Sequence, residues 1–244
     1  LEKYEMISSL PRVLARSYIG NMHALAFLPL GMVYDTKVIV FGFSSYEGFA
    51  LLQSSLHETW ARFFGPAAMR TDMVYATKLC FETFPFPKNT PLFGEQPVGA
   101  LGLIAKTYYD TRSELMSHRK EGLTSTYNRF HDRGEQSADI ARLRALHVEM
   151  DQAVAAAYGW SDLDLGHGFH ATKQGERYTL SEPARRTVLD RLLALNHHRY
   201  AEELKATMRG RFAWLGAAVV LLAVGGLATV GTQDTWLDGY GIIA

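Results

Sequence analysis

The spacing of apolar residues changes along this chain, and the change limits the folds that the chain can adopt. Residues 12–43 contain short apolar runs divided by Pro29, Gly31 and Asp35, a pattern typical of antiparallel hairpins. From residue 46 onward, apolar residues recur every three or four positions, as they do on one face of a helix. The chain is therefore predicted to be α+β: a mixed strand-and-helix module, then a mainly helical extension and an apolar C-terminal segment.

The first part of the chain contains one clear strand and one clear helix. The β-branched run Val38–Phe41 predicts a strand buried on both faces. Apolar residues at helical spacing predict a helix over residues 46–64. Ser44 and Glu47 have the spacing of a capping box, and Gly65 would end the helix.

Proline and glycine divide the remainder of the chain. Residues 67–87 are expected to be extended, and prolines 85 and 87 exclude a central strand there because proline lacks the amide donor. Residues 88–97 have the composition of a linker. Beyond it we expect three helices and a glycine- and histidine-rich loop: helices over 101–115, over 140–158 with Ser137 as its cap, and from Ser181 onward, and the loop over 159–176.

These patterns predict three parts: a recognition module over 1–95, a helical extension over 96–211 and an apolar tail over 212–244. Residues 212–233 contain no charged side chain. About twenty apolar residues suffice to cross a bilayer, so residues 212–232 form a possible single transmembrane helix. A buried hydrophobic hairpin and an aberrant tail read in a shifted frame are the alternatives.

Composition excludes several classes of site. The chain has 25 basic and 25 acidic side chains, so its formal net charge is zero and gives no global preference for nucleic acid. A DNA-binding role would depend on local patches. The single cysteine, Cys80, excludes an intrachain disulfide and a cysteine-based zinc site.

The motifs of catalysis are absent from the sequence. It contains no phosphate-binding loop, no zinc-protease motif and no nucleophile elbow. It also lacks the Asn-Pro-Pro-[Tyr/Phe] tetrapeptide of amino-group methyltransferases and a glycine-rich loop for S-adenosylmethionine. We therefore predict no catalytic, cofactor-binding or metal-binding residue in this chain.

Histidine and cysteine residues at three places in the chain receive structural interpretations. His57 lies near Ser54 and Ser55 but has no evident orienting acid, so a structural or DNA-facing histidine is favoured over a nucleophilic pair. His167-x-x-His170 lacks carboxylate or cysteine partners at ligand spacing, which favours a solvated loop. Cys80 lies between apolar neighbours and is predicted to be a small buried hydrophobe.

A series of short motifs in fixed order carries a family resemblance. It covers roughly residues 8–208, and its pieces are Leu52-Gln-Ser-Ser-x-His57-x-x-Trp60, Arg70-x-Asp72, Tyr75, Cys80-Phe-Glu-Thr-Phe-Pro-Phe-Pro87, Thr126-Tyr-Asn-Arg-Phe-His-Asp132, Leu146-His-Val-Glu-Met-Asp151, Ala157-Tyr-Gly-Trp160 and Leu192-Leu-Ala-Leu-Asn196. Together they resemble the target-recognition region and C-terminal tail of large adenine-specific DNA methyltransferases, the MmeI-like type IIL group and related groups associated with BREX and DISARM systems. The apolar stretch from Phe212 departs from the polar ending expected of that family.

The resemblance implies a division of labour between this chain and a part not contained in it. A methyltransferase domain upstream, in the same or a companion chain, would bind S-adenosylmethionine and methylate the N6 amine of adenine. The present chain, which starts at Leu1 rather than methionine, would be a fragment that recognises double-stranded DNA in the bacterial cytoplasm. Two alternatives stay open: a standalone DNA-specificity subunit, and a membrane-anchored interaction or structural protein held by residues 212–232.

Under this resemblance, individual residue types suggest DNA contacts. Arginine pairs with guanine, aspartate accepts from cytosine and asparagine pairs with adenine. Two residues two positions apart share a face of an extended segment, as would Arg70 and Asp72, which could alternatively form a surface ion pair. The predicted DNA-binding residues are Arg70, Asp72, Arg16, Asn21, His23, Lys78 and Arg62.

Other basic and aromatic residues are predicted not to bind DNA. Three arginines of the helical extension are expected on a solvated face: Arg129, Arg142 and Arg144. Four aromatic residues could wedge between bases, but their spacing favours packing of the strand region onto the helix over 46–64: Trp60, Phe81, Phe84 and Phe86.

Overall fold

The computed structural model describes residues 7–66, 72–223 and 242–243. The fold is α+β, as predicted from the periodicity. The strands are β1 (Val13–Ser17), β2 (Ile19–Gly20), β3 (Ala26–Leu28), β4 (Val38–Phe41), β5 (Met73–Val74), β6 (Gly168–Thr172), β7 (Gly175–Thr179) and β8 (Ile242–Ile243). The helices are α1 (Tyr46–Gln53), α2 (Ser55–Phe64), α3 (Thr77–Cys80), α4 (Gly99–Arg119), α5 (Leu123–Phe130), α6 (Ala138–Ala157) and α7 (Glu182–Ala223).

The largest sheet is antiparallel, with strand order β3-β1-β4-β8. Leu14 of β1 lies opposite Phe27 of β3 on one side and Phe41 of β4 on the other. These pairs define the register of β1 with its two neighbouring strands. β2 pairs with β5, and β6 pairs with β7 as a hairpin. The antiparallel pairing predicted over 12–43 is confirmed, but β1 lies between β3 and β4, so these strands do not form simple hairpins. The predicted strand Val38–Phe41 is present, with three of its four residues buried.

The prediction of one helix over 46–64 was wrong, because the helix breaks at Ser54. That residue has an extended backbone (φ −62°, ψ 152°) and ends α1 while it caps α2. Its hydroxyl accepts a hydrogen bond from the amide of His57 at 3.1 Å. That amide lies in the first turn of α2, where it has no acceptor within the helix. The first helix is likewise capped by Ser45, not Ser44.

Two short elements differ from the sequence-based expectation. Residues 67–87 were predicted to be extended, and residues 67–71 of this range lie outside the described residues. In the part that is described, β5 has only two residues and is followed by the one-turn helix α3. Helix α5 lies in a segment for which periodicity predicted no helix. Both elements are shorter than the window over which a hydrophobic period can be recognised.

The long helices of the second half agree with their predictions. Ser137 is the residue before α6, and the Ser181 hydroxyl accepts from the amide of Ala184 at 3.3 Å at the start of α7. Pro183 lies in the first turn of α7, where its missing amide is not needed.

One hydrophobic core runs through both halves of the described chain, from Leu14 of β1 to Leu192 of α7. The aromatic residues predicted to pack inside do so: Trp60 is fully buried, and Phe81 and Phe84 are 5% and 4% exposed. The division at residue 95 stays a prediction, since helices on both sides of it contribute to the same core.

The predicted membrane segment lies only partly within the described residues. Helix α7 extends to Ala223, and residues 224–232 lie outside the described part of the chain. Among the helices that are described, none is long and apolar enough to cross a membrane.

Candidate nucleic-acid interface

A cleft of about 450 Å³ opens between the segment around β2 and the first turns of α5. Three of the predicted DNA-binding residues line it: Arg16, Asn21 and Asp72. Thr124 and Asn128 of α5 line the opposite wall. The structure therefore brings together predicted residues that are separated by more than fifty positions in the sequence.

A buried arginine holds the two walls of the cleft in place. Arg112 of α4 donates to the Tyr127 hydroxyl of α5 at 3.0 Å and to the Leu25 carbonyl at 2.7 Å. The same guanidinium lies 3.3 Å from the side-chain oxygen of Gln53, which itself accepts from the Leu25 amide. Since a buried charged donor with several partners is geometrically well defined, α5 is fixed relative to residues 23–25.

Arg16 is buried below the floor of the cleft and is 4% exposed. Its guanidinium donates to His23 Nδ1 at 2.8 Å and stacks over the Tyr75 ring, 4.3 Å from the centroid. His23 Nε2 lies 2.6 Å from the Leu52 carbonyl. Burial, and secondly the charge of Arg16, lowers the pKa of His23 to about 3, so this histidine is neutral at pH 7. His23 thus orients Arg16, and its own ring nitrogens are both engaged.

Arg62 is shared between a carboxylate and the backbone beside the cleft. Its Nε donates to Glu58 at 2.7 Å and its Nη2 to the Asn21 carbonyl at 2.8 Å. Burial raises the pKa of Glu58, but the charge of Arg62 outweighs it and holds that pKa at about 2. The side-chain oxygen of Asn21 is buried without a hydrogen-bond partner among the described residues. The structure thus shows Arg62 supporting the Asn21 backbone.

The remaining predicted DNA contacts occupy three different settings. Asp72 is half-buried in the cleft wall, and its carboxylate makes no hydrogen bond within the described ranges. Lys78 is exposed on α3. Arg70 lies outside the described residues.

His57 and Cys80 are buried structural residues. His57 is fully buried, and its Nε2 lies 2.7 Å from the Tyr75 hydroxyl. The Cys80 thiol is buried near the Ala61 carbonyl, and burial raises its pKa to about 11. The prediction for Cys80 is confirmed, and His57 takes the structural alternative that the sequence analysis left open.

The prediction of a solvated histidine loop was wrong for His167. Its Nε2 lies 2.8 Å from the fully buried carboxylate of Asp151, whose other oxygen accepts from the Ser55 amide at 2.9 Å. A buried carboxylate needs donors, and the loop supplies one. The β6–β7 hairpin over residues 168–179 begins inside the predicted loop and extends beyond its end at residue 176. The described residues contain no group of side chains that could hold a metal ion.

The prediction of a solvated face was also wrong for Arg144, which is 9% exposed. Its guanidinium donates to four backbone carbonyls: those of Arg129 and Phe130 in the last turn of α5, and those of Asp132 and Glu135 beyond it. Two of these carbonyls, those of Arg129 and Asp132, also accept from a backbone amide, so Arg144 adds a charged donor at a helix end, where intrahelical donors run out. Arg144 therefore fixes the C-terminal end of α5.

The other two arginines of that prediction lie at the surface. Arg129 forms ion pairs with Glu121 and Glu135. Arg142 faces Glu149 at 3.7 Å with more than half of each side chain exposed.

Sequence reasoning missed the two α5 residues that line the cleft, Thr124 and Asn128. Both are exposed, while Thr126, Tyr127 and Phe130 of the same helix are buried. That alternation of polar and apolar positions is the signal that could have found the helix and its outward face.

One turn of the described chain can be examined as a site for a cofactor such as S-adenosylmethionine. The turn between β4 and α1 is a strand-to-helix connection of the kind that binds cofactors, but the start of α1 is covered. Ser45 Oγ donates to the Pro91 carbonyl at 2.9 Å, and Ser44 Oγ accepts from the Gly94 amide at 2.9 Å. Both serines are fully buried.

The fold belongs to the α+β class: a mixed strand-and-helix module packs against a mainly helical second half. Residues 8–88 match the family model described as MmeI, target recognition domain, and this part of the chain is an MmeI-like target recognition domain.

A solved structure has a similar fold: that of the type IIL restriction-modification enzyme MmeI in complex with DNA. The similarity covers 78% of this chain with a TM-score of 0.54 and 17% identity. The present chain spans 21% of that longer chain. No protein in the curated set matches the chain significantly.

Proposed function

We propose that this chain selects the DNA sequence at which an adenine-N6 DNA methyltransferase acts, within a bacterial restriction-modification or phage-defence system in the cytoplasm. One observation carries the proposal: a target recognition domain over residues 8–88 contains a cleft lined by Arg16, Asn21 and Asp72. The solved enzyme with the similar fold is a restriction-modification enzyme in complex with DNA. Residues 1–95 would read the site, and residues 96–211 would support them.

The chemistry of the predicted residues fits the edges of base pairs. The carboxylate of Asp72 has no partner among the described residues and can accept a hydrogen bond from the N4 amine of cytosine. Arg70, two residues earlier, can donate two hydrogen bonds to guanine. Lys78, exposed on α3, would contact phosphate, while the engaged His23 would act by orienting Arg16.

Methylation itself would take place in a domain outside this chain that binds S-adenosylmethionine. An adenine must leave the base stack before its N6 amine can react, at a cost of a few kcal/mol. Contacts of the recognition module to neighbouring base pairs and phosphates offset that cost. The zero net charge of this chain agrees with a companion domain that supplies more of the phosphate contacts.

Selection from random DNA tests the proposal. The 244-residue chain would be incubated with a pool of random duplexes at two salt concentrations, and the retained DNA sequenced. We expect enrichment of a short motif, and we expect Arg70→Ala or Asp72→Ala to relax the preference at one position by about 1–3 kcal/mol.

Asp162→Ala is the matched control, because Asp162 is an exposed carboxylate paired with Arg191 and does not line the cleft. It should leave the motif intact. DNA retained without any motif, and only at low salt, would indicate phosphate contact alone and would contradict the proposed recognition, as would a chain that retains no DNA at either salt concentration.

A further inference from the structure

Helix α5 presents to the cleft two polar side chains that have no hydrogen-bond partner among the described residues. Thr124 and Asn128 are four residues apart and share one face of the helix. Both are exposed, and neither forms a side-chain hydrogen bond within the described part of the chain. They lie beyond residues 8–88, the range matched by the recognition-domain model.

The buried side of α5 is anchored to the recognition module. The hydroxyl of Tyr127 accepts from Arg112 at 3.0 Å and lies 2.9 Å from the hydroxyl of Tyr108. Arg112 in turn donates to the Leu25 carbonyl. Arg144 donates to the carbonyl of Phe130, the last residue of α5, and to that of Asp132 beyond it. Asn128 is therefore carried on a rigid element, which is the arrangement that precise hydrogen-bond recognition needs.

The charge distribution of the cleft favours a base edge over a phosphate. The cation in its lining, Arg16, is already engaged by His23 and Tyr75, whereas the carboxylate of Asp72 repels an anion. An uncharged amide such as Asn128 adds no attraction for phosphate. Its side chain has an acceptor oxygen beside a donor NH2 group, and this pair matches the N6 amine and the N7 atom of adenine in the major groove.

We propose that Asn128 reads one base pair of the DNA site, with adenine preferred, so that the specificity of the chain extends beyond the recognition domain into α5. This inference rests on the proposed DNA-recognition function. Thr124, one turn earlier, would contact the neighbouring base or its sugar. The cleft would thus read DNA from two walls, one provided by each half of the chain.

Selection from random duplexes by three variants of the 244-residue chain tests this inference. Asn128→Ala should relax the preference at one position, roughly 5-fold to 150-fold, the loss of a bidentate contact. Asn128→Asp should move the preference at that position toward cytosine, because a carboxylate only accepts. Gln152→Ala is the control, since Gln152 is an exposed amide on α6 that does not line the cleft.

The outcomes separate this inference from the proposed function. A motif that persists at every position in Asn128→Ala would overturn the role of Asn128 and leave DNA recognition intact. A uniform loss of affinity across all sequences would also overturn it, because that result marks a phosphate contact. If the unchanged chain enriches no motif, the proposed function fails and the role of Asn128 fails with it. An unchanged melting temperature in Asn128→Ala and Asn128→Asp would show that their altered base preference is not caused by unfolding.

Discussion

At the scale of single residues, Asp151 joins three segments that are distant in sequence. Its carboxylate is fully buried and accepts from the Ser55 amide and from His167 Nε2. Burial raises the pKa of Asp151, but the facing His147 and His167 outweigh it, so that the pKa lies below its usual value. The charged form is therefore the one that holds the hairpin loop against α2.

Replacing this carboxylate by an amide should destabilise the fold. In Asp151→Asn one oxygen becomes a donor that faces a donor, and a charge-assisted hydrogen bond is lost, which costs about 1.5–3 kcal/mol. Urea denaturation at pH 7 measures the loss, and amide exchange should become faster in the β6–β7 hairpin.

Asp162→Asn provides the comparison for that variant. It removes a carboxylate that is 67% exposed in its pair with Arg191, and such surface pairs contribute about 0–1 kcal/mol. An equal loss of unfolding free energy in the two variants would show that the buried network around Asp151 contributes no more to stability than a surface ion pair.

At the scale of elements, Ser54 decides where α1 ends and α2 begins. Its hydroxyl accepts from the His57 amide and donates to the Leu51 carbonyl, so one side chain serves both helix ends. Ser54→Ala should lower the free energy of unfolding by about 0.5–2 kcal/mol, the usual effect of losing an N-cap.

The cap prediction is checked by thermal or urea denaturation, with Ser125→Ala as the comparison. Ser125 is an exposed residue of α5, so its loss should stay within about 0.5 kcal/mol. If Ser54→Ala is as stable as Ser125→Ala, the backbone break is maintained by packing alone.

The same elements show what the sequence could predict. The helices α4, α6 and α7 were predictable because their hydrophobic periods repeat several times. The strands of residues 12–43 were predictable because turn-forming residues divide short apolar runs. The break at Ser54 was not, since apolar residues keep a helical spacing straight across it. Helix α5 has two turns, too few for its period to stand out.

At the scale of the whole molecule, the cleft depends on tertiary packing that local patterns do not contain. The side-chain chemistry of Arg16, Asn21 and Asp72 suggested DNA contacts, and these three residues do line one cleft. Arg112 places Asn128 beside them, because it links α5 to residue 25. In the sequence nothing distinguishes this buried arginine from one on the solvated face of a helix. Buried polar networks of this kind are invisible to composition and periodicity, which treat a charged residue as a surface residue.

The buried histidines predict how the whole fold responds to acid. Burial lowers the pKa of four histidines: His23 to about 3, His131 to about 4, and His57 and His147 below their ordinary value. In the unfolded chain each would titrate near pH 6.5. Below that pH the unfolded state binds more protons, so the free energy of unfolding falls with falling pH, until each group reaches its folded pKa.

Urea denaturation at pH 7.5 and pH 5.0 measures this effect. For a group with the folded pKa of His23, protonation of the unfolded chain costs about 2 kcal/mol at pH 5, from 1.36 kcal/mol per pKa unit. His23→Gln should therefore show a smaller loss between the two pH values than the unchanged chain. His198→Gln should show the same loss, because His198 is 68% exposed on α7. If the unchanged chain is equally stable at both pH values, these histidines are not held neutral in the folded state, and Arg16 does not owe its position to an uncharged His23.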